Sequence, residues 1–538
     1  MNCAQRFPSL RRFGAAVMLA IAIAGCHGSG SSGGGSEATS LDPPAGPEPV
    51  GDLPAFPFVE HLDQSRVASG EVLFQELFVI GDSLFETAFN AQDGAGALRL
   101  PDGTPLAGRF SRVPPGGGRF TGPNGQACQG CHNSPFGTSA GEAAGNVAQD
   151  PARAGAPPFN LRNTISLFGS GLIQRLAEEM TEELLALRDA AAAAALPGGA
   201  PVTVALMAKS VGFGNITASR SGAGVVSFDT SAVEGVSADL VVRPFGWKGD
   251  VPTLRHFVRG ASRNELGMEA DELVAKELLL GTDPDGDGVE GELSIGDITG
   301  LTVYVAAQET PATIERLVRE RRMASPGAEF GAASERGRVL FTQIGCHTCH
   351  VPEMRLLDPV FEEPTRRGGG NYLDAAMDPS STALDPDRPF RFHLAQQGDF
   401  PRPEPHSAGG LRVALFGDLK RHRMGSRLAD AQATPALTAS GEPLVIGGAA
   451  ATVGTREFLT PELWGVGSTG PWLHDGRAGS LEEAIRLHGV DAPPAAGNPD
   501  RSEAQEARDA FVALSSDDRT AVVTFLRSLV LFELAAEE

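Results

Sequence analysis

The chain has 538 residues, which is long enough for two or three domains with hydrophobic cores of their own. Hydrophobic residues make up 41% and charged residues 21%, values that exclude a disordered or fibrous protein. The formal net charge of -23 argues against nucleic acid and anionic membrane surfaces as partners, and it suits solubility or the docking of a basic protein.

The first 26 residues have the pattern of a bacterial lipoprotein signal peptide. Three arginines precede an apolar run at 13–24 that is too short to span a membrane. The run leads into Cys26, which follows small residues as a lipid-bearing Cys does; an ordinary cleaved signal with an incidental Cys is the alternative. Residues 27–55 are rich in Gly, Ser and Pro and predict a flexible linker. We therefore expect an exported protein of the periplasm or cell envelope, held at a membrane only through a lipid on Cys26.

A helix is predicted at 67–89, where apolar side chains recur at helical spacing. It contains the pattern G-x-x-L-F at 81–85, which returns at 337–341. A second pattern, T-x-x-L-aromatic-G-x-G, occurs at 164–171 and again at 460–467. Two ordered matches in each half indicate a duplicated domain, with coincidence in a Gly-rich chain as the alternative.

Two motifs of the form C-x-x-C-H lie between these repeated patterns. They comprise Cys128, Cys131 and His132, and Cys346, Cys349 and His350. This spacing is typical of covalent haem c attachment, in which both thiols add to vinyl groups and the adjacent His binds iron from one face. The alternatives are buried thiol pairs beside unrelated histidines, or a zinc site built from both motifs, although zinc sites rarely place His directly after each C-x-x-C pair. We predict two covalently bound haem c groups. Since Cys3 and Cys26 belong to the signal peptide, no cysteine is left for an internal disulfide.

The remaining elements predict a mainly α fold: two cytochrome c-like haem domains in tandem, with a strand-containing insertion and long loops. Helices are predicted at 172–195, 251–280 and near the carboxyl end, strands at 201–245, and a long Pro- and Gly-rich loop at 354–455. We place the first haem domain at 56–328 and the second at 329–538.

A calcium site is a further candidate. Asp283, Asp285 and Asp287 are spaced as D-x-D-x-D-G, which can bring three carboxylates onto a hard cation. The EF-hand pattern requires Glu at position twelve, where this chain has Ser294. An acidic surface turn is the alternative.

His488 is a candidate iron ligand. Ser480 and Glu483 form a capping box, so a helix is expected to start at Leu481. Its apolar positions share one face with His488, which would therefore point inward. A core His bonded to a carbonyl is one alternative, and Met424 is a competing ligand.

The stretch at 461–488, together with 245–255 and 422–430, resembles the di-haem cytochrome c peroxidase superfamily. The resemblance covers about residues 65–535 and is strongest to the di-haem oxidoreductase family, sometimes labelled thiol oxidoreductase. In that superfamily the residue fourteen positions after the His of the H-D-G motif, here His474, is the distal ligand of the second haem. The resemblance therefore implies that His488 closes a bis-His site with His350. We expect His474 to form a hydrogen bond near the haem edge rather than to bind iron.

The first haem departs from ordinary di-haem peroxidases, which carry a distal His near the place of Ala148. No histidine lies between His132 and His256. We expect an open iron position that binds peroxide or dioxygen, with His256 reaching in as the alternative.

The resemblance also implies a catalytic Glu after the first repeat of the T-x-x-L-aromatic pattern. Glu178 and Glu179 are the candidates, and a solvated acidic helix face is the alternative. Trp247 is the candidate bridge for electrons between the haems, or else a core anchor.

These features together predict an enzyme, a peroxidase-like di-haem oxidoreductase that takes electrons from a cytochrome c or a cupredoxin and reduces hydrogen peroxide. Two alternatives stay open. One is an oxygenase similar to the di-haem rubber oxygenases, and the other is a pure electron carrier with two six-coordinate irons. Oxidative maturation of a protein partner is disfavoured, because His488 stands where that branch has Tyr.

Overall fold

The computed structural model describes most of the chain after residue 60. The described residues are 61–90, 92–95, 125–141, 161–274, 288–365, 388–396, 401–431, 433–438, 444–446 and 448–532, with the backbone of 111–112, 119–120 and 146–147. Cys26, the linker, Ala148 and the calcium candidates Asp283, Asp285 and Asp287 lie outside them. Phe58–Phe532 form one unit. The domain boundary after residue 328 stays a prediction.

The described residues contain twelve α-helices, named here in chain order. They are α1 Gln64–Ala68, α2 Phe74–Glu86, α3 Cys128–Cys131, α4 Ser170–Ala194, α5 Leu254–Ala261, α6 Asp271–Val274, α7 Ile295–Ala306, α8 Ile314–Arg319, α9 Ala328–Gln343, α10 Leu481–Leu487, α11 Gln505–Ala513 and α12 Ser516–Arg527. A π-helical turn at Ser262–Leu266 follows α5, and 3₁₀ turns lie at Cys346–Thr348 and Ser426–Leu428. None of the helices in this part of the chain is both long and apolar enough to cross a bilayer.

The strands are short and antiparallel where they pair. They are β1 Ser111–Arg112, β2 Arg119–Phe120, β3 Asn146–Val147, β4 Leu161–Arg162, β5 Val202–Ala208, β6 Val211–Arg220, β7 Val226–Asp229, β8 Ala312–Thr313, β9 Met354–Leu356, β10 Val360–Glu363, β11 Phe390–His393, β12 Glu404–Pro405, β13 Leu411–Val413, β14 Arg421–Arg423, β15 Thr434–Pro435, β16 Val445–Ile446, β17 Ala449–Ala450, β18 Thr452–Val453, β19 Glu457–Leu459 and β20 Leu529–Val530. Three-stranded sheets have the orders β5-β6-β7 and β12-β13-β9; the other described strands form pairs.

The first half is built on a close pair of helices, α2 and α7. Gly81 of α2 lies directly against the carbonyl oxygen of Gly300 in α7, where a Cβ would collide with it. Buried apolar side chains of both helices, including Leu77 and Leu301, belong to the main core. The glycine therefore sets how closely the two helix axes approach.

The second half repeats this pair with α9 and α12. Gly337 of α9 lies against the carbonyl oxygen of Ala521 in α12, again with no room for a Cβ. Gly81 and Gly337 are the first residues of the two G-x-x-L-F patterns. The repeat in the sequence thus corresponds to a repeat in the helix packing.

The capping of α7 and α12 extends the repeat. The Ser294 hydroxyl accepts the backbone N–H of Asp297, and the Ser515 hydroxyl accepts that of Asp518. A Ser at the N-cap with a carboxylate three residues later satisfies backbone donors that the helix leaves free. Gly300 and Ala521 both lie six residues after these caps, so the two helices are in the same register.

The predicted insertion at 201–245 is a three-stranded sheet that packs on α4. The pairing joins Val202 to Ala218 and Thr217 to Asp229. Apolar side chains of this sheet, including Phe213 and Ile216, are buried in the main core. The helix predicted at 172–195 is confirmed as α4, whereas the one predicted at 251–280 is interrupted after Leu266, where Gly267 adopts a left-handed conformation.

The prediction of a mainly α fold requires correction. Helices supply most of the core, but the region at 354–455, predicted as loop, contains strands β9 to β18 in its described parts. These strands are two to four residues long, too short for hydrophobic alternation to be visible in the sequence. The fold is therefore mixed helix and strand.

Candidate functional site

A cavity of about 610 Å³ lies against the second C-x-x-C-H motif. Cys346, Cys349, His350 and His488 all line it, although His488 is far from the motif in sequence. A volume of this size is typical of cofactor and ligand sites. The second motif and its predicted partner thus face one space.

His350 is held so that only one ring nitrogen is available to the cavity. Its Nδ1 lies 3.1 Å from the Phe416 carbonyl oxygen, which can only accept, so Nδ1 carries the proton. Burial, with a further contribution from His488, lowers the pKa of His350 to about 4. A neutral imidazole with a lone pair on Nε2 is the form that binds metals.

His488 has the same arrangement at the end of α10. Its Nδ1 donates to the Ala484 carbonyl oxygen at 2.7 Å. Burial lowers the pKa of His488 as well. The predicted helix starts at Leu481 with the Ser480 cap, and Leu481 and Ala484 are buried on the side shared with His488. Two neutral imidazoles are therefore available to the cavity.

Met424 and His474 also line this cavity. His474 is packed into the wall: its ring lies 4.3 Å from that of Phe458, and its Nε2 lies 3.5 Å from Asp430. Burial lowers the pKa of His474 to about 4. Met424, the competing ligand, has its backbone N–H bonded to the Arg456 carbonyl. The ring bond to Ala484 distinguishes His488 from Met424, because it orients a ligand nitrogen.

The first motif repeats the geometry of the second. Cys128 and Cys131 lie on the short helix α3, and the His132 Nδ1 lies 3.0 Å from the Ser139 carbonyl oxygen. Burial lowers the pKa of His132 to about 4, and the Ile165 backbone is a further hydrogen-bonding neighbour of the ring. His132 is thus held for metal binding in the manner of His350.

Each motif His packs against the Phe of its own G-x-x-L-F pattern. The Phe85 and His132 ring centroids are 6.1 Å apart, and those of Phe341 and His350 are 6.4 Å apart. An aromatic residue of the partner helix lies behind each Phe, at 5.2 Å for Tyr304 and at 5.4 Å for Phe525. The repeat therefore extends to the surroundings of both motifs.

The segment 163–166 forms a wall of the second cavity and reaches the first motif. Asn163 to Ser166 line the cavity, and Ile165 is the backbone neighbour of His132. Trp247 lines the same wall and donates its Nε1 hydrogen to the Asn163 carbonyl at 2.8 Å. The position of Trp247 suits the predicted bridge, whose role stays a prediction.

A buried ionic cluster supports this wall. Asp430 accepts two bonds from the Arg162 guanidinium, at 2.8 and 2.6 Å, and lies 3.5 Å from the Lys248 ammonium. Lys248 also lies over the Phe458 ring at 4.0 Å. Burial lowers the pKa of Lys248 to about 8.

The predicted catalytic residues Glu178 and Glu179 are not solvated, so the acidic-face alternative is wrong. Both are buried in α4. Glu178 pairs with Arg175 and accepts bonds from Gln174 and Thr365. Glu179 accepts the Lys209 ammonium at 2.5 Å and the backbone N–H groups of 357 and 358. Any proton transfer by either carboxylate would require it to release some of these partners.

His256, the alternative first-site ligand, is buried at the start of α5. Its backbone N–H donates to the Thr253 hydroxyl at 3.3 Å. The contacts described for it do not join its ring to His132, so its role stays open.

A charged cluster at Cys349 was not predicted from the sequence. His422 bonds Asp418 through Nε2 at 2.7 Å and Glu503 through Nδ1 at 2.8 Å, and its Nδ1 lies 3.9 Å from the Cys349 sulfur. Burial alone would lower the pKa of His422. The bonds to Asp418, Cys349 and Glu503 outweigh burial and raise this pKa to about 12. The only sequence signal for this cluster was the His422-Arg423-Met424-Gly425 stretch, which contributes to the family resemblance.

A family model matches part of the chain. Residues 410–529 match the family described as "Di-haem oxidoreductase, putative peroxidase". This confirms the resemblance for that stretch. The match includes His422, His474 and His488, and neither C-x-x-C-H motif lies within it. No curated protein matches the chain.

Three solved structures are similar to the chain at low levels. A MauG-like protein associated with microbial copper homeostasis has 14% identity and a TM-score of 0.32, over 85% of this chain and 88% of that one. The diheme peroxidase BthA from Burkholderia thailandensis E264 has 14% identity and a TM-score of 0.33, over 87% and 89%. Hydrazine synthase from Kuenenia stuttgartiensis has 14% identity and a TM-score of 0.29, over 90% and 100%. The assignment of function therefore depends on this chain's own residues.

Proposed function

We propose that the chain is an exported di-haem c-type oxidoreductase of peroxidase type, which reduces hydrogen peroxide at a first haem with electrons relayed through a second, bis-His haem. One observation supports it above all. His350 and His488 line the same cavity as Cys346 and Cys349, and Nδ1 of each histidine is bonded to a backbone carbonyl.

The residues at the second site fit haem c. The two thiols lie in and just after a 3₁₀ turn, and two neutral imidazoles share the cavity with them. Cys346 and Cys349 would attach the group, and His350 and His488 would be its iron ligands. Bis-His ligation favours a lower potential than His/Met ligation, which suits an electron relay.

The first site would attach its group through Cys128 and Cys131 and hold it by His132. The proposal of an open position there comes from the sequence, which has no histidine near Ala148. Reduction of one peroxide to two waters consumes two electrons and two protons, and two haems together can supply the electrons. A cytochrome c or a cupredoxin is the proposed donor.

Peroxide cleavage also needs a group that moves a proton between the two oxygens. Of the two predicted carboxylates we retain Glu178, whose Oε1 is bonded to the amide of Gln174 and the hydroxyl of Thr365. Glu179 holds the backbone of Leu357 and Asp358 and is better suited to positioning.

The matching helix pairs and motif surroundings support two haem domains in tandem, divided after residue 328. We further propose that a lipid on Cys26 anchors the protein to a membrane in the periplasm or cell envelope, and that Asp283, Asp285 and Asp287 bind calcium. The support for both lies in the sequence patterns.

Low-temperature electron paramagnetic resonance of the oxidised protein tests whether the first site has an open iron position and the second has bis-His ligation. We expect one high-spin signal from the first site and one low-spin signal from the second, with carbon monoxide binding after reduction. Two low-spin signals and no carbon monoxide binding would indicate an electron carrier instead of an enzyme. Absence of peroxide turnover with a reduced cytochrome or cupredoxin donor would reject the peroxidase.

A further inference from the structure

Glu462 is an ionisable residue that lines the second cavity. Its backbone is fixed beside the segment that orients His350: the Leu463 N–H donates to the Leu415 carbonyl, and Gly417 lies against the Glu462 backbone. The intervening Phe416 carbonyl is the one that accepts the His350 Nδ1 hydrogen. The backbone of Glu462 thus lies beside the segment that orients the proposed iron ligand.

Other ionisable groups that line this cavity have partners of their own. His422 is bonded to Asp418 and Glu503. Glu506 pairs with Arg501 at 2.7 Å, and Arg508 with Asp491 and Asp509. His350 and His488 are bonded to backbone carbonyls, and His474 lies near Asp430.

Glu462 differs from these groups. Among the residues that the structure describes, no side chain forms a hydrogen bond or ion pair with its carboxyl. Burial raises the pKa of Glu462 to about 7, and neither His350 nor His488 nor another charged side chain contributes to that shift. Its protonation is therefore open to control by a charge that enters the cavity.

Reduction of a ferric site removes one positive charge from the cavity. A nearby positive charge favours the carboxylate, so its loss raises the affinity of the carboxyl for a proton. We infer that Glu462 takes up one proton from solvent when the second site accepts one electron, so that electron storage there is coupled to protonation. This inference rests on the proposed function, because it requires a haem held by His350 and His488.

The test is the pH dependence of the midpoint potential of the second haem, measured by spectroelectrochemistry on the full-length haem-loaded protein. We expect the potential to fall as pH rises through neutrality in the wild type, and Glu462→Gln to lose this dependence. Glu506→Gln is the matched control, since Glu506 also lines the cavity but pairs with Arg501. It should keep the wild-type dependence.

An unchanged pH dependence in Glu462→Gln, with the low-spin signal intact, would overturn the inference and leave the proposed function standing. A protein without that low-spin haem would overturn the proposed function instead. If Glu462→Gln does not fold, redox-difference infrared spectra of the wild type decide. A protonated carboxyl band that appears on reduction supports the inference, and its absence contradicts it.

Discussion

Arg162 and Asp430 form a two-bond ion pair, at 2.8 and 2.6 Å, between residues 268 positions apart. The pair joins strand β4, next to the wall segment 163–166, to the loop that follows β14. The Asp430 side chain is buried, and it also faces Lys248 and His474. The wall between the two motifs therefore depends on one carboxylate.

Removal of that carboxylate should be costly. Asp430→Asn leaves the buried Lys248 and the half-buried Arg162 cations without their counter-charge, and we expect the free energy of unfolding to fall by about 3–5 kcal/mol. Urea denaturation measures it. The control is Asp500→Asn, whose partner Arg456 is exposed, and it should cost about 0–1 kcal/mol. Equal losses in the two variants would contradict a special role for Asp430.

The glycine of the second helix pair gives a packing test. Gly337→Ala places a Cβ against the Ala521 carbonyl oxygen and should destabilise the protein by about 1–3 kcal/mol. Gly331→Ala on the same helix meets open space and should stabilise it by about 0.5–1 kcal/mol, because Ala loses less entropy on helix formation. Thermal unfolding of both variants checks that the two stability changes have opposite signs.

The sixth ligand of the second site can be exchanged. His488→Met should raise the midpoint potential of that site, within the ~0.8 V range that axial ligands span. His488→Ala should convert its low-spin signal to high spin. Met424→Leu is the control and should change neither property. If Met424→Leu instead gives the high-spin signal, Met424 is the ligand.

The His422 cluster predicts a pH dependence of stability. Since hydrogen bonds raise the pKa of His422 from 6.5 to about 12, the cluster stabilises fully below pH 6.5 and loses this contribution as pH rises towards 12. The free energy of unfolding should therefore fall more steeply with pH in the wild type than in His422→Gln. Measurements from about pH 7 to about pH 10 cover the experimentally accessible part of the range between the two pKa values. The control is His406→Gln, because the His406 ring bonds only the nearby Ala408 backbone N–H in the described contacts, and it should keep the wild-type slope. Parallel curves for wild type and His422→Gln would contradict the cluster's role.

Substitutions of Glu178 and Glu179 should affect the kinetics differently. Glu178→Gln removes the proposed proton carrier and should lower kcat for peroxide by about 10²–10⁴-fold. Glu179→Gln weakens the bonds to Lys209, Leu357 and Asp358 and should lower stability, with kcat per folded molecule kept. Steady-state assays beside thermal unfolding distinguish them. A normal kcat in Glu178→Gln would exclude it as the carrier.

Structural features with a local signal in the sequence were predicted best. Helix α10 was placed by the Ser480 cap, and its buried face led to His488. The strands at 354–455 were not predicted, because they are only two to four residues long. The cluster around His422 was not predicted, because Glu503 lies 81 positions further along the chain. The acidic residues of α4 show the same limit. A run of glutamates is typical of a solvated face, and only the surrounding loops and sheet show that Glu178 and Glu179 are buried.

The sequence by itself determined the two C-x-x-C-H motifs, the repeated G-x-x-L-F pattern and the helical face of His488, since covalent spacing and helical periodicity are properties of neighbouring residues. Only the tertiary structure decided which groups share a cavity with Cys346 and Cys349, which carbonyl orients His350, and which carboxylates are already paired. These properties depend on burial and on contacts between distant segments, and no local pattern encodes them.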